Sequence, residues 1–342
     1  MRAMLLFIAF IFTGLVDAQL TLTVLSEKDR TPITSANIQA INSGKGWVSD
    51  DKGNFSINQS SLVEYLLITH VSFEDKIVKL SSIDGPIYLK ERSRFLKDIE
   101  VSGSRDRQWK KDLKKFNREL FGRSSIIKKV EIINPWVIDF QHVSGGLVAT
   151  ADSLIRIENQ YTGYQINFAL ESFSNKGSIS TYNGKAFFKE LDGDYKSNRE
   201  KTFEGSLRHF LFSVQNNISR KEGFRVFECV FDKQTNSFLT KKAIKTKNLG
   251  ERENDKWTLY FDGYIKVIYL KELDINSFGG DAVSNESGQV SYLKCNSPIL
   301  IDELGNAKNA GLQDFGYWAN VERMTHWLPH DYLPDRLSSI DH

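Results

Sequence analysis

Two histidines near the C-terminus have the spacing that a helical zinc site would use. His326 and His330 lie four residues apart, as do the two histidines of the H-E-x-x-H motif. The residue after His326 is Trp327 instead of the motif's glutamate, and Pro329 would break a helix between the two imidazoles. The sequence therefore predicts packed or solvent-facing histidines at these positions and no metal site.

The other patterns that could support catalysis are each incomplete. Ser125 and Lys128 form an S-x-x-K pattern without its partner motifs, and neither a G-x-S-x-G elbow nor a P-loop occurs. Asp192 and Asp194 flank a glycine, which is typical of a turn. The oxygens of residues 50–54 are too few for a dedicated calcium loop. We therefore predict no catalytic residue, no metal ligand and no cofactor.

The chain has two cysteines, Cys229 and Cys295, both in the C-terminal half. An oxidising compartment would allow a disulfide between them, provided that their Cα atoms come within about 7 Å. Buried free thiols are the alternative, because an unpaired cysteine packs like a small hydrophobic residue. The sequence leaves both arrangements open.

Aromatic residues and prolines cluster in residues 316–334, beyond the last strand-like run. Aromatic side chains dominate many binding surfaces because they combine a large apolar area with a rigid shape. Most aromatic residues elsewhere lie in apolar strand patterns and are assigned to the core. We therefore take Trp318, Trp327 and Tyr332 as the candidate interaction aromatics.

The overall charge is nearly balanced, with 45 Lys and Arg against 43 Asp and Glu and a net charge of +2. This balance argues against a nucleic-acid partner, which demands a concentrated basic surface. The richest basic run, residues 109–129, also contains Asp112 and Glu119. We interpret it as the solvated face of a helix and not as a phosphate-binding surface.

Residues 1–18 have the features of a signal peptide. Arg2 provides the positive charge, residues 5–15 form the apolar region, and Val16 and Ala18 are the small residues at a cleavage site. The apolar region is too short to span a bilayer comfortably. We therefore expect an exported protein, in the periplasm, at the outer-membrane periphery or outside the cell, without a transmembrane helix after cleavage.

Residues 19–102 alternate short apolar runs with turn residues. Leu20, Leu22 and Val24 alternate with threonines, which is the period of a half-buried strand. A D-D-K-G turn ends at Gly53, where a positive φ is easily adopted. Several strands at this spacing without an intervening helix predict a β-sandwich.

Five phrases in this part of the chain carry a family resemblance. They follow the order of motifs in the carboxypeptidase-D regulatory-like domain. The five phrases are TPITSANIQA, GWVSDDKGNFSI, YLLITHVSFEDKIVKL, IYLKE and LKDIEVSG. The resemblance covers residues 20–101 and implies a seven-stranded, Greek-key, transthyretin-like sandwich of the kind common in exported Bacteroidota proteins. The family usually has Gly where Ser35 and Ser72 stand. None of the six histidines begins the H-x-x-E pair of metallocarboxypeptidases, so the resemblance is to the accessory domain.

Residues 103–124 are predicted to form a helical connector. Asp106 fits an N-cap and Gly122 fits the residue after the helix. We expect the apolar stripe to pack on the second domain, because the polar face carries both signs whereas membrane-surface helices are richly basic. The stripe consists of Trp109, Leu113, Phe116 and Leu120.

Residues 125–336 are predicted to form an antiparallel, β-rich domain with one long helix, followed by a tail at 337–342. Ser197 and Glu200 match a capping box at the start of the helix, which would continue to about Asn217. Asp262 and Gly263 predict a two-residue hairpin turn. This half resembles a region that some Bacteroidota proteins pair with the regulatory-like sandwich, and that resemblance implies no established activity. The phrases that carry it are IINPWVIDF, LIRIENQYTGYQINFALESF, GKAFFKEL, NREKTFEGSLRHFLFSV and WLPHDYLPD.

The sequence favours a non-catalytic envelope protein that binds or organises other molecules, with the sandwich as an interaction module. The expected partner is another envelope protein or a surface glycan, and the oligomeric state is left open. The alternative is a hydrolase of envelope glycans or peptides with its site within residues 130–330. A hydrolase predicts a pocket with converging polar groups, whereas a binding module predicts an exposed aromatic patch.

Overall fold

The computed structural model describes residues 19–58, 63–92, 107–177, 179–254, 256–272 and 288–340. The predictions for residues 1–18 and for Asp106 lie outside the described residues, as do residues 341–342 of the tail. The described chain is mainly β, with several antiparallel sheets and few helices, which confirms the predicted fold class. It divides into two compact units, a first unit of residues 19–40 and 46–92 and a second unit of residues 41–45 and 107–340.

The described part of the first unit is a β-sandwich, as the strand pattern predicts, and it has seven strands in two sheets, the number that the family resemblance implies. A three-stranded sheet has the order β4-β1-β7 and a four-stranded sheet has the order β3-β2-β5-β6. Both sheets supply apolar residues to one core, which includes Val24 and Phe55 from one side and Ile38 and Leu66 from the other. The strands are β1 (Gln19–Ser26), β2 (Asn37–Ala40), β3 (Gly46–Val48), β4 (Asn54–Asn58), β5 (Tyr65–His70), β6 (Phe73–Lys79) and β7 (Ile87–Leu89).

The D-D-K-G turn before β4 has the predicted geometry. Oδ1 of Asp50 accepts hydrogen bonds from the backbone N–H groups of Lys52 and Asn54, at 2.9 and 2.7 Å. Gly53 has a φ of +75°, and a Cβ there would lie 2.4 Å from the carbonyl oxygen of Val24. The Asp50 carboxylate therefore stabilises the turn by accepting hydrogen bonds from the backbone of the turn. Glycine is required at the last position of this turn.

The described residues of the second unit form three sheets. The six-stranded sheet comprises β8 (Val130–Ile132), β9 (Ile138–Val143), β10 (Gly146–Ala151), β11 (Ile155–Asn159), β12 (Tyr164–Lys176) and β13 (Ile179–Glu190). The five-stranded sheet comprises β14 (Phe224–Asp232), β15 (Ser237–Ala243), β18 (Tyr264–Tyr269), β19 (Gln289–Cys295) and β21 (Leu312–Gly316). The three-stranded sheet comprises β16 (Gly250–Glu253), β17 (Lys256–Leu259) and β20 (Ile299–Ile301).

Five α-helices accompany these strands within the described residues. They are α1 (Arg107–Phe121), α2 (Lys196–Phe203), α3 (Leu207–Gln215), α4 (Tyr317–Val321) and α5 (Asp335–Ser338). The predicted connector helix corresponds to α1, and Gly122 follows it with a φ of +75° as expected. None of the described helices combines the length and the apolar content that a membrane crossing requires.

The prediction of one long helix from Ser197 to Asn217 is wrong. The chain forms α2 and α3 and breaks between them at Gly205, which has a φ of +74°. Ser206 starts the second helix, because its Oγ accepts a hydrogen bond from the backbone N–H of His209 at 3.1 Å. Ser197 lies inside α2 instead of capping it.

The predicted hairpin at Asp262 and Gly263 is also wrong. β17 pairs with β16 and β20 in one sheet, whereas β18 pairs with β14 and β19 in another. Ile265 to Tyr269 of β18 are all buried, so this strand has the environment of a central strand with a neighbour on each edge. The turn residues therefore connect two sheets.

Replacing Gly53 with alanine is expected to destabilise the sandwich by about 2 kcal/mol or more. The alanine would hold a strained left-handed conformation and press its Cβ against the Val24 carbonyl. Urea unfolding, followed by the hydrogen exchange of backbone amides in residues 19–58 of the first unit, measures the effect. Gly85→Ala is the matched control, because a Cβ at Gly85 meets no atom within 4 Å. Equal stability of the Gly53→Ala and Gly85→Ala variants would contradict the conclusion that the turn requires glycine at position 53.

Candidate functional site

The second unit contains a cavity of about 420 Å³, here called the main cavity. Part of its wall comes from the C-terminal segment, residues 316–334, and part from α2, α3 and the loop after β20. Its apolar lining includes Phe188, Phe203, Leu211, Trp327 and Leu328. Its polar lining includes Arg208, Asn306, Glu322, His326 and His330. Large apolar surfaces and several polar side chains thus meet in one concave site.

Glu322 lies at the N-terminus of α3. Its Oε2 accepts a hydrogen bond from the backbone N–H of Leu207, the first residue of that helix, at 3.2 Å. A helix N-terminus favours a negative charge, but burial opposes it more strongly. Burial raises the pKa of the Glu322 carboxyl well above its ordinary value. This carboxyl is therefore much easier to protonate than an exposed glutamate.

Arg208 anchors the C-terminal segment. Its two terminal nitrogens donate to the carbonyl oxygens of Pro329 and Tyr332, each at 2.7 Å. The guanidinium also lies over the ring of Phe203, at 5.0 Å from its centre. Burial lowers the pKa of Arg208 to about 10, which leaves it charged at neutral pH. A fixed positive charge therefore borders the main cavity.

His326 and Trp327 form the next part of the wall. The Nδ1 of His326 lies 3.0 Å from the Thr325 hydroxyl, and burial lowers its pKa to about 4. The imidazole is consequently neutral at physiological pH. The indole of Trp327 packs against the rings of Phe168 and Tyr182, with centroid distances of 6.0 and 6.2 Å.

His326 and His330 do not share a helical face. Residues Met324–His326 form one 3₁₀ turn, and the chain from Trp327 to His330 is not helical, as Pro329 led us to expect. His326 is packed, whereas His330 is exposed. Within the described part of the chain, no three metal-ligating side chains form a group.

The three candidate interaction aromatics have different environments. Trp318 is only 3% exposed, and its Nε1 donates to the carbonyl oxygen of Gly205 at 2.8 Å. Trp318 is thus a core residue, and its assignment to a binding surface is wrong. Trp327 lines the main cavity, while Tyr332 lines a second cavity of about 270 Å³ beside Tyr195.

The alternative of a disulfide between Cys229 and Cys295 is not realised. Both are buried free thiols. They lie on β14 and β19, which are separated by β18 in the five-stranded sheet. Adjacent strands are about 4.8 Å apart, so strands two positions apart are about 10 Å apart, beyond disulfide reach. Burial raises the pKa of each thiol to about 11.

A second polar centre lies on α3 outside the main cavity. The imidazole of His209 is fully buried, and its Nε2 lies 3.1 Å from Oε2 of Glu222. Arg336 donates to the same carboxylate oxygen at 2.7 Å. The hydrogen bond from His209 is the main reason that the pKa of Glu222 falls to about 2. Because every charge in this group is paired, we assign it a structural role.

Sequence reasoning singled out His326 and His330 but missed the other polar residues of the main cavity, Arg208, Asn306 and Glu322. Arg208 lies beside the apolar stripe of α3, and Glu322 has no recognisable motif around it. A charged residue beside a core-facing stripe is the one available signal, since such a charge needs a partner. The sequence does not reveal which segment provides that partner.

Replacing His326 with glutamine is expected to flatten the pH dependence of stability. The native state holds His326 neutral with a pKa of about 4, whereas the unfolded chain binds a proton near pH 6.5. Its contribution to stability is therefore complete above pH 6.5 and decreases by up to about 3 kcal/mol toward pH 4. Urea unfolding at a series of pH values between 4 and 7 measures this contribution to the free energy of unfolding. His142→Gln, at a side chain that is 58% exposed, is the control, and parallel curves for parent and H326Q would contradict the prediction.

Comparisons with known proteins give no family for this chain. No protein-family model matches it, and no curated protein matches it. One solved structure, a candidate carbohydrate-binding protein from Bacteroides uniformis ATCC 8492, is 8% identical and aligns over 84% of this chain and 99% of its own. The TM-score of that alignment is 0.16, which is too low to support a conclusion about fold or function.

Proposed function

We propose that this protein is a non-catalytic binding protein and that its main cavity holds a sugar ring of a glycan. The proposal depends chiefly on one observation: an indole and several hydrogen-bonding side chains converge in a cavity of about 420 Å³. Cavities that hold small ligands are typically about 300–1,000 Å³ and combine apolar walls with a few placed polar groups. A sugar ring presents an apolar C–H face and polar hydroxyl groups, so it can contact both kinds of lining.

The chemistry of the lining fits such a ligand. The C–H face of a sugar packs on an aromatic ring, and Trp327 provides one in the cavity wall. Sugar hydroxyls both donate and accept hydrogen bonds. The carboxyl of Glu322 can accept hydrogen bonds from these hydroxyls, and the imidazole of His330 can donate or accept one. In the described chain, the polar contacts of His330 involve only its backbone.

Binding is favoured over hydrolysis because the cavity holds a single carboxyl. Glycoside hydrolysis normally uses two carboxyl groups on opposite sides of the bond that breaks. Among the described residues that line the main cavity, Glu322 is the one acidic side chain. Arg208 and Asn306 are already occupied by carbonyl oxygens of the C-terminal segment.

The location and architecture form part of the same proposal. We place this binding protein outside the cytosol, in the periplasm or at the outer-membrane periphery, because of the N-terminal residues 1–18 and the resemblance of residues 20–101 to an exported family. The sandwich would then be the module that contacts another envelope protein. A surface glycan would be the ligand of the second unit.

Replacing Trp327 with alanine is expected to weaken glycan binding about tenfold or more, because the ring loses its stacking partner. Isothermal titration against a panel of neutral oligosaccharides measures the affinity. Trp136→Ala is the matched control, since Trp136 is 52% exposed and does not line the cavity. Absence of binding to every oligosaccharide in the panel would refute the proposal, as would equal losses in the two variants.

The hydrolase alternative retains one argument, namely that a carboxyl with a raised pKa suits a general acid. Glu322→Gln separates the two functions. A binding site should keep its affinity within about threefold, because glutamine also presents an oxygen to the ligand. A hydrolase should lose turnover by about 100-fold or more. Product analysis by mass spectrometry after incubation with oligosaccharides decides between them, and turnover by the parent protein that E322Q lacks would establish the hydrolase.

A further inference from the structure

The solvent-facing side of α1 carries only positive charges. At 100° per residue, its cations fall within an arc of roughly 140°, and they extend over roughly 17 Å along the axis. The buried side of the same helix holds Phe116 and Leu120, which belong to the core of the second unit. The cationic face consists of Arg107, Lys110, Lys111, Lys114, Lys115 and Arg118.

The acidic residues of α1 are turned away from this face. Asp112 is 6% exposed, and its carboxylate lies 2.9 Å from Nε2 of His142. Glu119 accepts a hydrogen bond from the Ser180 hydroxyl at 2.8 Å and pairs with Arg323 at 3.5 Å. The expectation of a polar face that carries both signs is therefore wrong. From Arg107 to Lys115 the face therefore presents cations alone to solvent, and Arg118 at its end pairs with Glu119.

Most of these cations form no ion pair with another described residue. Arg118 pairs with Glu119, but no ion pair of the described chain involves Arg107, Lys110, Lys111, Lys114 or Lys115. Like charges three and four residues apart repel each other on a helix. Arg107 and Lys110 also lie at the positive end of the helix dipole, and the first turn contains no acidic residue. An external anion would relieve both costs.

We propose that the cationic face of α1 binds a linear anionic polysaccharide, one that carries carboxylate or sulfate groups along its chain. Clusters of Lys and Arg within five to eight residues are typical of polyanion-binding surfaces. The row is long and one helix wide, which matches a chain of regularly spaced charges. The site shares no residue with the main cavity and is independent of the proposed function.

Two other polyanions fit this surface less well. A membrane surface would engage apolar residues beside the charges, but the apolar side of α1 is buried, and Trp109 donates its Nε1–H to the carbonyl oxygen of Ile138. Duplex DNA carries its charges on two backbones on either side of a groove about 12 Å wide, whereas the cations of α1 form a single row that is one helix wide.

The test compares the parent protein with Lys110→Gln/Lys111→Gln/Lys114→Gln. Binding to immobilised heparin and to polygalacturonate is measured across a series of salt concentrations, with neutral dextran as the uncharged reference. We expect the parent to bind both polyanions at low salt with a steep salt dependence. The triple variant should bind about tenfold or more weakly, and its salt slope should fall by about 2.

The matched control is Lys241→Gln/Lys245→Gln/Lys247→Gln, which removes three exposed lysines from another part of the second unit. It has the same net charge as the test variant and should bind like the parent. Glutamine preserves helix propensity, so thermal unfolding should show that both variants remain folded.

Several results would overturn the proposal. These are equal losses in the two triple variants, no binding of the parent to either polyanion, or tighter binding to duplex DNA or to phosphatidylglycerol vesicles. Loss of polyanion binding in Trp327→Ala would also overturn it, because the two sites would then not be separate.

Discussion

The main cavity depends on hydrogen bonds between side chains of other elements and the backbone of the C-terminal segment. This segment has little regular structure, so few of its carbonyl oxygens have partners in a helix or sheet, and buried carbonyls require partners. Arg208 satisfies those of Pro329 and Tyr332, and the Asn159 amide satisfies that of Thr325 at 2.8 Å. These bonds hold the segment in the place from which Trp327 lines the cavity.

The break between α2 and α3 has a direct chemical consequence. In a single helix, the N–H of Leu207 would bond to a carbonyl four residues earlier. Because a new helix begins there, this N–H is free to donate to Glu322. The break also frees the backbone groups of the buried Gly205 from helical hydrogen bonds, so that its N–H donates to Nδ1 of His209 and its carbonyl accepts from Trp318. A local interruption thereby links the start of α3 to the C-terminal segment at two points, Trp318 and Glu322.

The sequence predicts well those features that depend on neighbouring residues. The alternation around Leu22, the positive φ of Gly53 and the apolar stripe of α1 each follow from local spacing, and the structure contains all three. Features that depend on remote partners are not predicted. Periodicity shows that one side of β18 or α3 is buried, but it does not show which segment covers it.

The failed predictions follow from the same limit. The hairpin at Gly263 was expected because the two apolar runs are adjacent in sequence, yet β17 pairs with β16 and β20, whereas β18 pairs with β14 and β19. Arg208 and Glu322 could not be assigned to a site because their partners lie more than 100 residues away. The role of a buried charge depends on the residue that pairs with it, and the spacing of residues in the sequence does not show which residue that is.

The charges of α1 show most clearly that the fold, and not the composition, decides which charged residues a ligand meets. Asp112 lies two residues from both Lys110 and Lys114, so a count along the sequence treats these charges as mixed. Residues two apart point to different sides of a helix, so the aspartate faces His142 while the lysines face solvent. A net charge of +2 is the sum over all surfaces, whereas a ligand responds to one surface within a Debye length of about 10 Å. A near-neutral chain can therefore present a strongly basic surface, provided that its fold turns the compensating acids inward.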